Sequence, residues 1–245
     1  MNRVKTGIYG LDELIEGGFP QGRSVLLTGA CGTGKTIFGM QYLYYGAEKY
    51  SEPGIYITLD ERPDLIRQDM LRFGWDIQKF EEKNMIQLID ASIAKIGLPS
   101  EEQHSMPSTG FDLDKLLLET MRSAKRIGAK RVVFDSIPAL GLTFETQNEV
   151  RKAVLKLSYL LSKLGVTSIL TTESAEENIF SKYGVEEYVA DGVLVMHYMG
   201  IGTHSSRTIH IRKMRATNHS EKLHPMEITE KGIEIKKVKE TYKEV

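Results

Sequence analysis

The chain has 245 residues, of which 41% are hydrophobic and 27% are charged, a composition that is ordinary for a globular protein and excludes wholesale disorder. Its 32 basic and 33 acidic residues leave a formal net charge of -1, so composition provides no general attraction to nucleic acid or to an anionic membrane. A single cysteine, Cys31, excludes an intramolecular disulfide, and no apolar run reaches the roughly 18 residues of a membrane span. These features predict a cytoplasmic protein built as one large domain over residues 1–245.

After an N-terminal segment at residues 1–22, apolar runs alternate with amphipathic stretches. The predicted strands are Ser24 to Thr28, Ile55 to Leu59, Met85 to Ile89, Val132 to Phe134 and Ser168 to Thr172. The predicted helices lie between them, at Lys35 to Tyr50, Pro63 to Phe73, Asp112 to Ile127 and Val150 to Leu164. Helices between successive strands predict parallel strands joined by right-handed crossovers and covered on both faces.

The pattern changes in the last part of the chain. Residues 192–245 contain β-rich runs separated by turn residues, which predict a C-terminal extension of antiparallel hairpins. Residues 94–110 lack periodicity and predict a mobile loop. The expected fold is therefore α/β, with a mainly parallel sheet, helices on both faces and an antiparallel extension.

The segment from Gly29 to Thr36, GACGTGKT, matches the pattern GxxxxGK followed by Ser or Thr, between a predicted strand and a predicted helix. Backbone N–H groups of such a turn surround phosphate oxygens, and the helix N-terminus adds a favourable dipole. Lys35 is expected to reach the β- and γ-phosphates, and the Thr36 hydroxyl to bind Mg²⁺. The residues expected to hold the phosphates are Gly29, Ala30, Cys31, Gly32, Thr33, Gly34, Lys35 and Thr36.

Carboxylates follow two of the predicted strands. Asp135 ends the run VVFD, where it is expected to hold Mg²⁺ through the water shell of the ion, although it could instead cap a following helix. Asp60 and Glu61 follow IYITL and are suited to orient water for in-line attack on a γ-phosphate, although by themselves they are only an acidic turn. The six histidines show no metal-type spacing, so no structural metal is expected.

Further segments occur in an order that is typical of one family: TGIYGLDELIEGGFPQGRSVLLTGACGTGKT, YITLDE, VVFDS, ILTTES, KYGVEEYVADGVLVM and RTIHIRKMRATNH. With them the sequence resembles the KaiC-like branch of the RecA-superfamily ATPases over most of its length, except roughly residues 94–110. The resemblance implies a RecA-type P-loop NTPase core that binds ATP and Mg²⁺. It also implies a homo-oligomeric ring, usually a hexamer, with the nucleotide between neighbouring subunits.

The resemblance also assigns roles to individual residues. Relatives usually have Glu-Glu after the second core strand, with the first as the base, whereas here Asp60 precedes Glu61. Either Glu61 therefore takes over as the base or hydrolysis is slow. Thr172 and Glu173, with Thr171 before them, fall on the strand that senses the γ-phosphate in relatives; a threonine pair satisfied by backbone hydrogen bonds is the alternative.

A basic segment near the C-terminus resembles the element that reaches the nucleotide of the neighbouring subunit. It contains Lys213 and Arg215, followed by His219. Cations at a γ-phosphate offset charge that develops during transfer. A solvated basic strand is the alternative.

Together these features predict an ATP-binding, Mg²⁺-dependent ATPase that works as a ring. A recombinase-like, ATP-dependent DNA-binding protein is a second hypothesis. The regions where relatives bind DNA, near Leu140 to Asn148 and Ala175 to Tyr183, carry few basic residues, which weakens it. A third is a slow-turnover regulatory switch that signals to a protein partner, with Asp60 accounting for the slowness. No motif identifies such a partner, and adenine is preferred over guanine by resemblance alone.

Overall fold

The computed structural model describes residues 2–92, 100, 102–106, 111–142, 144, 146–174, 180–201 and 204–238. Within those ranges the strands are β1 (Arg3–Val4), β2 (Phe19–Pro20), β3 (Ser24–Gly29), β4 (Gly54–Thr58), β5 (Ile86–Asp90), β6 (Arg131–Asp135), β7 (Thr167–Thr172), β8 (Gly192–Ile201), β9 (His204–Met214), β10 (Leu223–Thr229) and β11 (Gly232–Ile235). The helices are α1 (Lys35–Tyr50), α2 (Pro63–Leu71), α3 (Ile77–Glu82), α4 (Leu113–Ile127), α5 (Gln147–Lys163) and α6 (Glu186–Val189), and 3-10 turns lie at Asp12–Leu14 and Ile137–Leu142.

A nine-stranded sheet dominates the described part of the chain, in the order β11-β10-β9-β8-β3-β7-β6-β4-β5. The strands from β8 to β5 in this order pair in parallel, whereas β8, β9, β10 and β11 pair with one another in antiparallel fashion. Side chains of α1, α2 and α3 form a hydrophobic core on one face, and those of α4 and α5 form another on the opposite face. The predicted α/β fold with an antiparallel extension is confirmed.

The sequence features at the helix ends explain where the helices begin and stop. The Asp112 side chain accepts hydrogen bonds from the backbone of Asp114 and Lys115 and so caps α4, which ends at Gly128 with φ 66°. Thr146 and Glu149 form a reciprocal capping box at the start of α5. These local hydrogen bonds satisfy terminal backbone groups that the helices cannot satisfy themselves.

Several boundaries differ from the sequence predictions. β4 lies one residue earlier than the run Ile55 to Leu59, and β5 lies one residue later than the run Met85 to Ile89. An apolar run identifies a buried strand but not the residue at which its ladder hydrogen bonds begin. The short helix α3, which the sequence analysis did not predict, is capped by Asp76.

Two predicted segments pack against the rest of the described structure. In the N-terminal segment Leu11, Ile15 and Phe19 are fully buried, and β1 pairs with β2. Of the predicted loop at 94–110, residues 94–99, 101 and 107–110 lie outside the described residues. Met106 is buried and its N–H donates to the carbonyl of Asp90, so this part of the loop lies against β5.

The strand register brings the predicted site residues to one edge of the sheet. Thr28 at the end of β3 is opposite Thr172 at the end of β7, and Thr58 at the end of β4 is opposite Asp135 at the end of β6. The carboxyl ends of these parallel strands therefore meet, which is where α/β sheets place their ligands. No helix in the described ranges is both long enough and apolar enough to span a membrane.

Candidate functional site

The turn between β3 and α1 has the backbone conformation that a phosphate-binding loop needs. Gly32 and Gly34 have φ values of 78° and 103°, in the left-handed region that only glycine adopts at little cost. At Gly34 a Cβ atom would also lie 3.0 Å from Cδ1 of Ile228. Glycine is therefore required there both by conformation and by packing, and α1 starts immediately after it.

The Lys35 ammonium group lies against this loop. Its Nζ donates to the carbonyl of Gly29 at 2.8 Å and to that of Ala30 at 3.1 Å. Burial lowers the pKa of Lys35 below its usual value, while the nearby carboxylates of Glu173 and Asp135 oppose that shift. The lysine thus occupies the interior of the loop, where a bound phosphate would accept the same hydrogen bonds.

Asp135 is the centre of a hydrogen-bond network at the end of β6. Its Oδ2 accepts from the Thr36 hydroxyl at 3.0 Å and from the Tyr56 hydroxyl at 2.5 Å, and its Oδ1 accepts from the Thr171 hydroxyl at 2.5 Å. Burial, followed by the charge of Asp135, raises the pKa of Tyr56 well above its usual value, so Tyr56 remains a donor. These donors fix the orientation of the carboxylate, which faces Thr36 and not a helix N-terminus.

The oxygen atoms of Thr36 and Asp135 fit Mg²⁺. The ion usually takes one or two protein oxygens and completes its shell with water and phosphate. Among the described residues no group of three or more His, Cys, Asp or Glu side chains could form an all-protein metal site. The Thr36 and Asp135 pair beside a phosphate loop is therefore suited to an ion that arrives with a nucleotide.

The paired acids at the end of β4 differ in their surroundings. The Ser136 hydroxyl donates to Oδ2 of Asp60 at 2.6 Å. The Thr58 hydroxyl donates to the backbone carbonyl of Glu61 at 2.5 Å, which holds the turn. Burial raises the pKa of Glu61, and the charges of Asp69 and Asp135 raise it further. Glu61 is therefore a more basic carboxylate than an ordinary glutamate, and it lines the cleft together with Asp60.

These groups line one open cleft of about 620 Å³. Its lining residues are Cys31, Gly32, Gly34, Lys35, Thr36, Ile37, Asp60, Glu61, Arg72, Asp135, Ser136, Glu173, Arg207 and Ile228. The cleft contains the predicted loop, the predicted metal-binding pair and both predicted acids. Its volume is within the range of small-molecule sites.

The two threonines at the end of β7 point to opposite faces of the sheet, as successive strand residues must. Thr171 reaches Asp135, whereas the Thr172 hydroxyl donates to Oε1 of Glu186 at 3.1 Å. Glu173 follows them and lines the cleft. The Thr172 side chain therefore binds Glu186, and the cleft that Thr172 was predicted to sense is lined by the next residue, Glu173.

The basic segment predicted to serve a neighbouring subunit lies beside the start of β8, whereas the cleft lies beyond the carboxyl ends of the parallel strands. Lys213 donates to the backbone carbonyls of Glu187 at 3.1 Å and Ala190 at 2.6 Å. Arg215, whose side chain is 54% exposed, has Nη1 3.8 Å from Oδ1 of Asp191. Within one chain these cations are separated from the phosphate loop along β8, because Met196 pairs with Gly29 whereas Gly192, four positions earlier, pairs with Met214.

His219 lies beside the N-terminal segment. Its Nδ1 lies 3.2 Å from the carbonyl oxygen of Ser220, and the Ser220 N–H donates to the carbonyl of Leu14 in the N-terminal segment. None of these described contacts joins His219 to the phosphate loop.

Sequence reasoning missed several residues that line the cleft or bind its acids. Arg207 donates to the Gly32 carbonyl through Nε at 3.3 Å and Nη2 at 3.1 Å, and Tyr56 and Ser136 bind the two predicted acids. For Tyr56 a signal existed, because a tyrosine in a buried strand needs a partner for its hydroxyl. For Arg207 no local signal exists, since its proximity to the loop depends on the pairing of β9 with β8.

Comparison with known proteins shows what this chain is similar to. A family model described as ATPase: KaiC matches residues 4–240. A UPF0273 protein of Pyrococcus horikoshii is 42% identical over 233 residues, which are 94% of this chain and 92% of the relative. The circadian clock oscillator protein KaiC of Parathermosynechococcus lividus is 38% identical over 234 residues, 95% of this chain but 42% of the relative.

A solved structure agrees with these matches. The crystal structure of a KaiC-like protein from the hyperthermophilic archaeon P. horikoshii superposes with a TM-score of 0.84 at 43% identity. The match covers 96% of this chain and 99% of that one. The chain therefore spans less than half of the cyanobacterial relative and nearly all of the archaeal ones.

Proposed function

Because this chain belongs to the KaiC family of ATPases, we propose that it binds ATP with Mg²⁺ and hydrolyses it in a homo-oligomeric ring, a hexamer in the simplest case. The observation that supports the proposal best is the convergence of Lys35, Thr36 and Asp135 at the mouth of the phosphate loop. These are the three side chains that a magnesium nucleotide needs: a cation for the phosphates and two oxygens for the ion.

The loop residues bind and orient the polyphosphate. Backbone N–H groups of the segment Gly29 to Thr36 surround the phosphates, and Lys35 exchanges its two carbonyl partners for phosphate oxygens. Thr36 and Asp135 would hold Mg²⁺, which supplies neutralising charge to the transferred phosphoryl group. Tyr56 and Thr171 keep the Asp135 carboxylate in place for this role.

We assign the water-activating role to Glu61. The carboxylate of Asp60 already accepts from Ser136, and its side chain is shorter. Burial and neighbouring acids raise the pKa of Glu61, which makes this carboxylate a better proton acceptor than an ordinary glutamate. In this arrangement Asp60 orients Ser136, and Glu61 accepts the proton of the attacking water.

The remaining cations act between subunits in this proposal. Lys213 and Arg215 lie at the end of β9 where Met214 pairs with Gly192, away from their own cleft. His219 follows them in the chain, and its described contacts do not reach that cleft. In a head-to-tail ring, one surface of each subunit contacts a different surface of the next. Here the surface with the basic segment would contact the surface with the neighbour's cleft. Arg215 then offsets charge at the neighbour's γ-phosphate, while Glu173, which follows Thr172, lines the cleft of its own subunit.

The experiment is a measurement of particle size and ATPase rate for the purified protein, with and without Mg-ATP. Ring formation and turnover that both require Mg²⁺ are expected. Lys35→Ala is the matched control and abolishes nucleotide binding, because phosphate loses its principal cation. Absence of binding heat when millimolar Mg-ATP is titrated into the folded protein contradicts the proposal.

A further inference from the structure

The Lys213 ammonium group is held by the short helix α6 of its own chain. The two carbonyls that it binds belong to Glu187 within α6 and to Ala190 immediately after it. Cations are favoured at this end of a helix because the terminal carbonyls lack intrahelical partners. Lys213 is therefore not a freely moving side chain, and the position of α6 decides where its charge lies.

Glu186 holds the other end of α6. It is fully buried, with an exposed fraction of 0%. Its Oε1 accepts from the Thr172 hydroxyl at 3.1 Å, and its Oε2 accepts from the backbone N–H of Tyr183 at 3.3 Å and of Val185 at 3.1 Å. A buried carboxylate is costly unless such donors satisfy it, so their removal has a large structural effect.

These contacts form a continuous link between two parts of the proposed mechanism. Thr172 ends β7, and the next residue, Glu173, lines the nucleotide cleft. The Thr172 hydroxyl binds Glu186, Glu186 begins α6, and the end of α6 binds Lys213. We infer that Glu186 is a positioning residue, which fixes α6 to the end of β7 and thereby fixes the Lys213 ammonium group that this subunit offers to its neighbour.

A flexible lysine needs such support. Its four-carbon stem carries substantial rotamer freedom, and a catalytic cation that is displaced by about 1 Å can cost on the order of a hundredfold in rate. The inference rests on the proposed function, because Lys213 acts on the neighbour's phosphate only in a shared site. Under this inference, the end of β7 beside the cleft of each subunit is joined, through Glu186 and α6, to the Lys213 cation that the same subunit provides.

The test uses mixed rings of two subunit types. One type lacks the Lys213 cation, and the other has an inactive cleft. Acceptor subunits carry Lys213→Ala and keep an intact cleft. Donor subunits carry Glu61→Gln, which is expected to slow hydrolysis in their own cleft while ATP binding and the basic segment remain. Mixing them restores part of the ATPase activity if the site is shared. The donor is then replaced by one that also carries Glu186→Gln, or Thr172→Val, which removes only the hydroxyl that binds Glu186.

We expect either change in the donor to lower kcat of the mixed ring by about tenfold while KM for ATP stays the same, because ATP binds to the unchanged acceptor. Tyr188→Phe in the donor is the matched control, since this tyrosine lies on α6 with 68% of its surface exposed. Particle size and thermal midpoint report whether each donor folds and enters rings. A donor that fails to fold is replaced by the milder Thr172→Val donor.

The outcomes separate the two proposals. Full restoration by folded donors with Thr172→Val or Glu186→Gln overturns the positioning role of Glu186 and leaves the shared site intact. No restoration by the plain Glu61→Gln donor at any mixing ratio, although it enters the rings, overturns the shared site and the inference with it. A rise in KM with unchanged kcat also contradicts positioning, because it would indicate a change in nucleotide binding.

Discussion

The hydroxyl of Tyr56 donates a hydrogen bond of 2.5 Å to Oδ2 of Asp135, although 79 positions separate the two residues in the chain. They meet because β4 and β6 are neighbours and pair Thr58 with Asp135, so that Tyr56 lies one pleat earlier on the same face. Thr36 binds the same oxygen from the start of α1. A tyrosine of the core thus orients the carboxylate expected to hold the metal.

Tyr56→Phe removes this donor without changing the volume of the core. We expect the free energy of unfolding to fall by about 1 to 2 kcal/mol, because a hydrogen bond to a charged group is lost. We also expect affinity for Mg²⁺ in the presence of ATP to fall by roughly tenfold, since partners of metal ligands orient them. Denaturant unfolding and Mg²⁺ titration of nucleotide binding measure the two effects, with the exposed Tyr159→Phe as control. Unchanged Mg²⁺ affinity would contradict the role assigned to Tyr56.

Buried tyrosines predict a loss of stability at alkaline pH. Burial raises the pKa of Tyr44 to about 12, and it also raises the pKa of Tyr42 and Tyr56 above the usual value of a tyrosine. In the unfolded chain tyrosine loses its proton near pH 10. The folded state therefore binds more protons above that pH, so its stability is complete below about pH 10 and falls as pH rises towards the folded pKa values. Denaturant unfolding at a series of pH values measures this fall, and tyrosinate absorbance should appear together with unfolding. A stability that stays constant up to about pH 11 contradicts the prediction.

Glu61→Gln should lower kcat by about a hundredfold or more while ATP binding remains, because it removes the proposed base and no phosphate contact. Asp60→Asn should have a smaller effect, since Asp60 already accepts from Ser136. The raised pKa of Glu61 also predicts that kcat falls on the acidic side at a pH above the usual range of a glutamate, where this carboxylate becomes protonated. Single-turnover rates and a pH profile distinguish the two acids. A larger loss in Asp60→Asn than in Glu61→Gln would assign the base to Asp60.

Arg131 provides a test of the core that is independent of the cleft. Its side chain is 0% exposed, donates to Oε2 of Glu52 at 2.8 and 2.5 Å and also donates to the carbonyl of Tyr42. Glu52→Gln leaves a buried cation without its counter-charge. We expect the free energy of unfolding to fall by about 2 to 3 kcal/mol, somewhat below the loss for a fully buried pair because Glu52 is partly exposed. Chemical unfolding of Glu52→Gln and of the exposed control Glu13→Gln measures it. Equal stability of the two variants would contradict this account of Arg131.

Much of the fold could be predicted from local patterns. The apolar period predicted a helix from Asp112 to Ile127, and α4 runs from Leu113 to Ile127, with Asp112 and Gly128 as its caps. The glycine-rich motif predicted the loop before α1, because its glycines are needed for backbone conformation whatever the rest of the chain does. The boundaries of β4 and β5 differ from the predicted runs by one residue, since burial does not specify which residues form the ladder hydrogen bonds.

By itself, therefore, the sequence determined the chemistry that this protein can contain: a phosphate loop, a strand-end aspartate, an acidic pair and a distant basic segment, each encoded by residues close together in the chain. Only the tertiary structure decided which of these groups meet. Strand order and register placed Tyr56 and Thr171 on Asp135, turned Thr172 towards Glu186, brought Arg207 to the loop and separated Lys213 from its own cleft. The reason is physical, because contacts between strands depend on pairing and on alternation of side chains, and neither can be read from the distance between two residues along the chain.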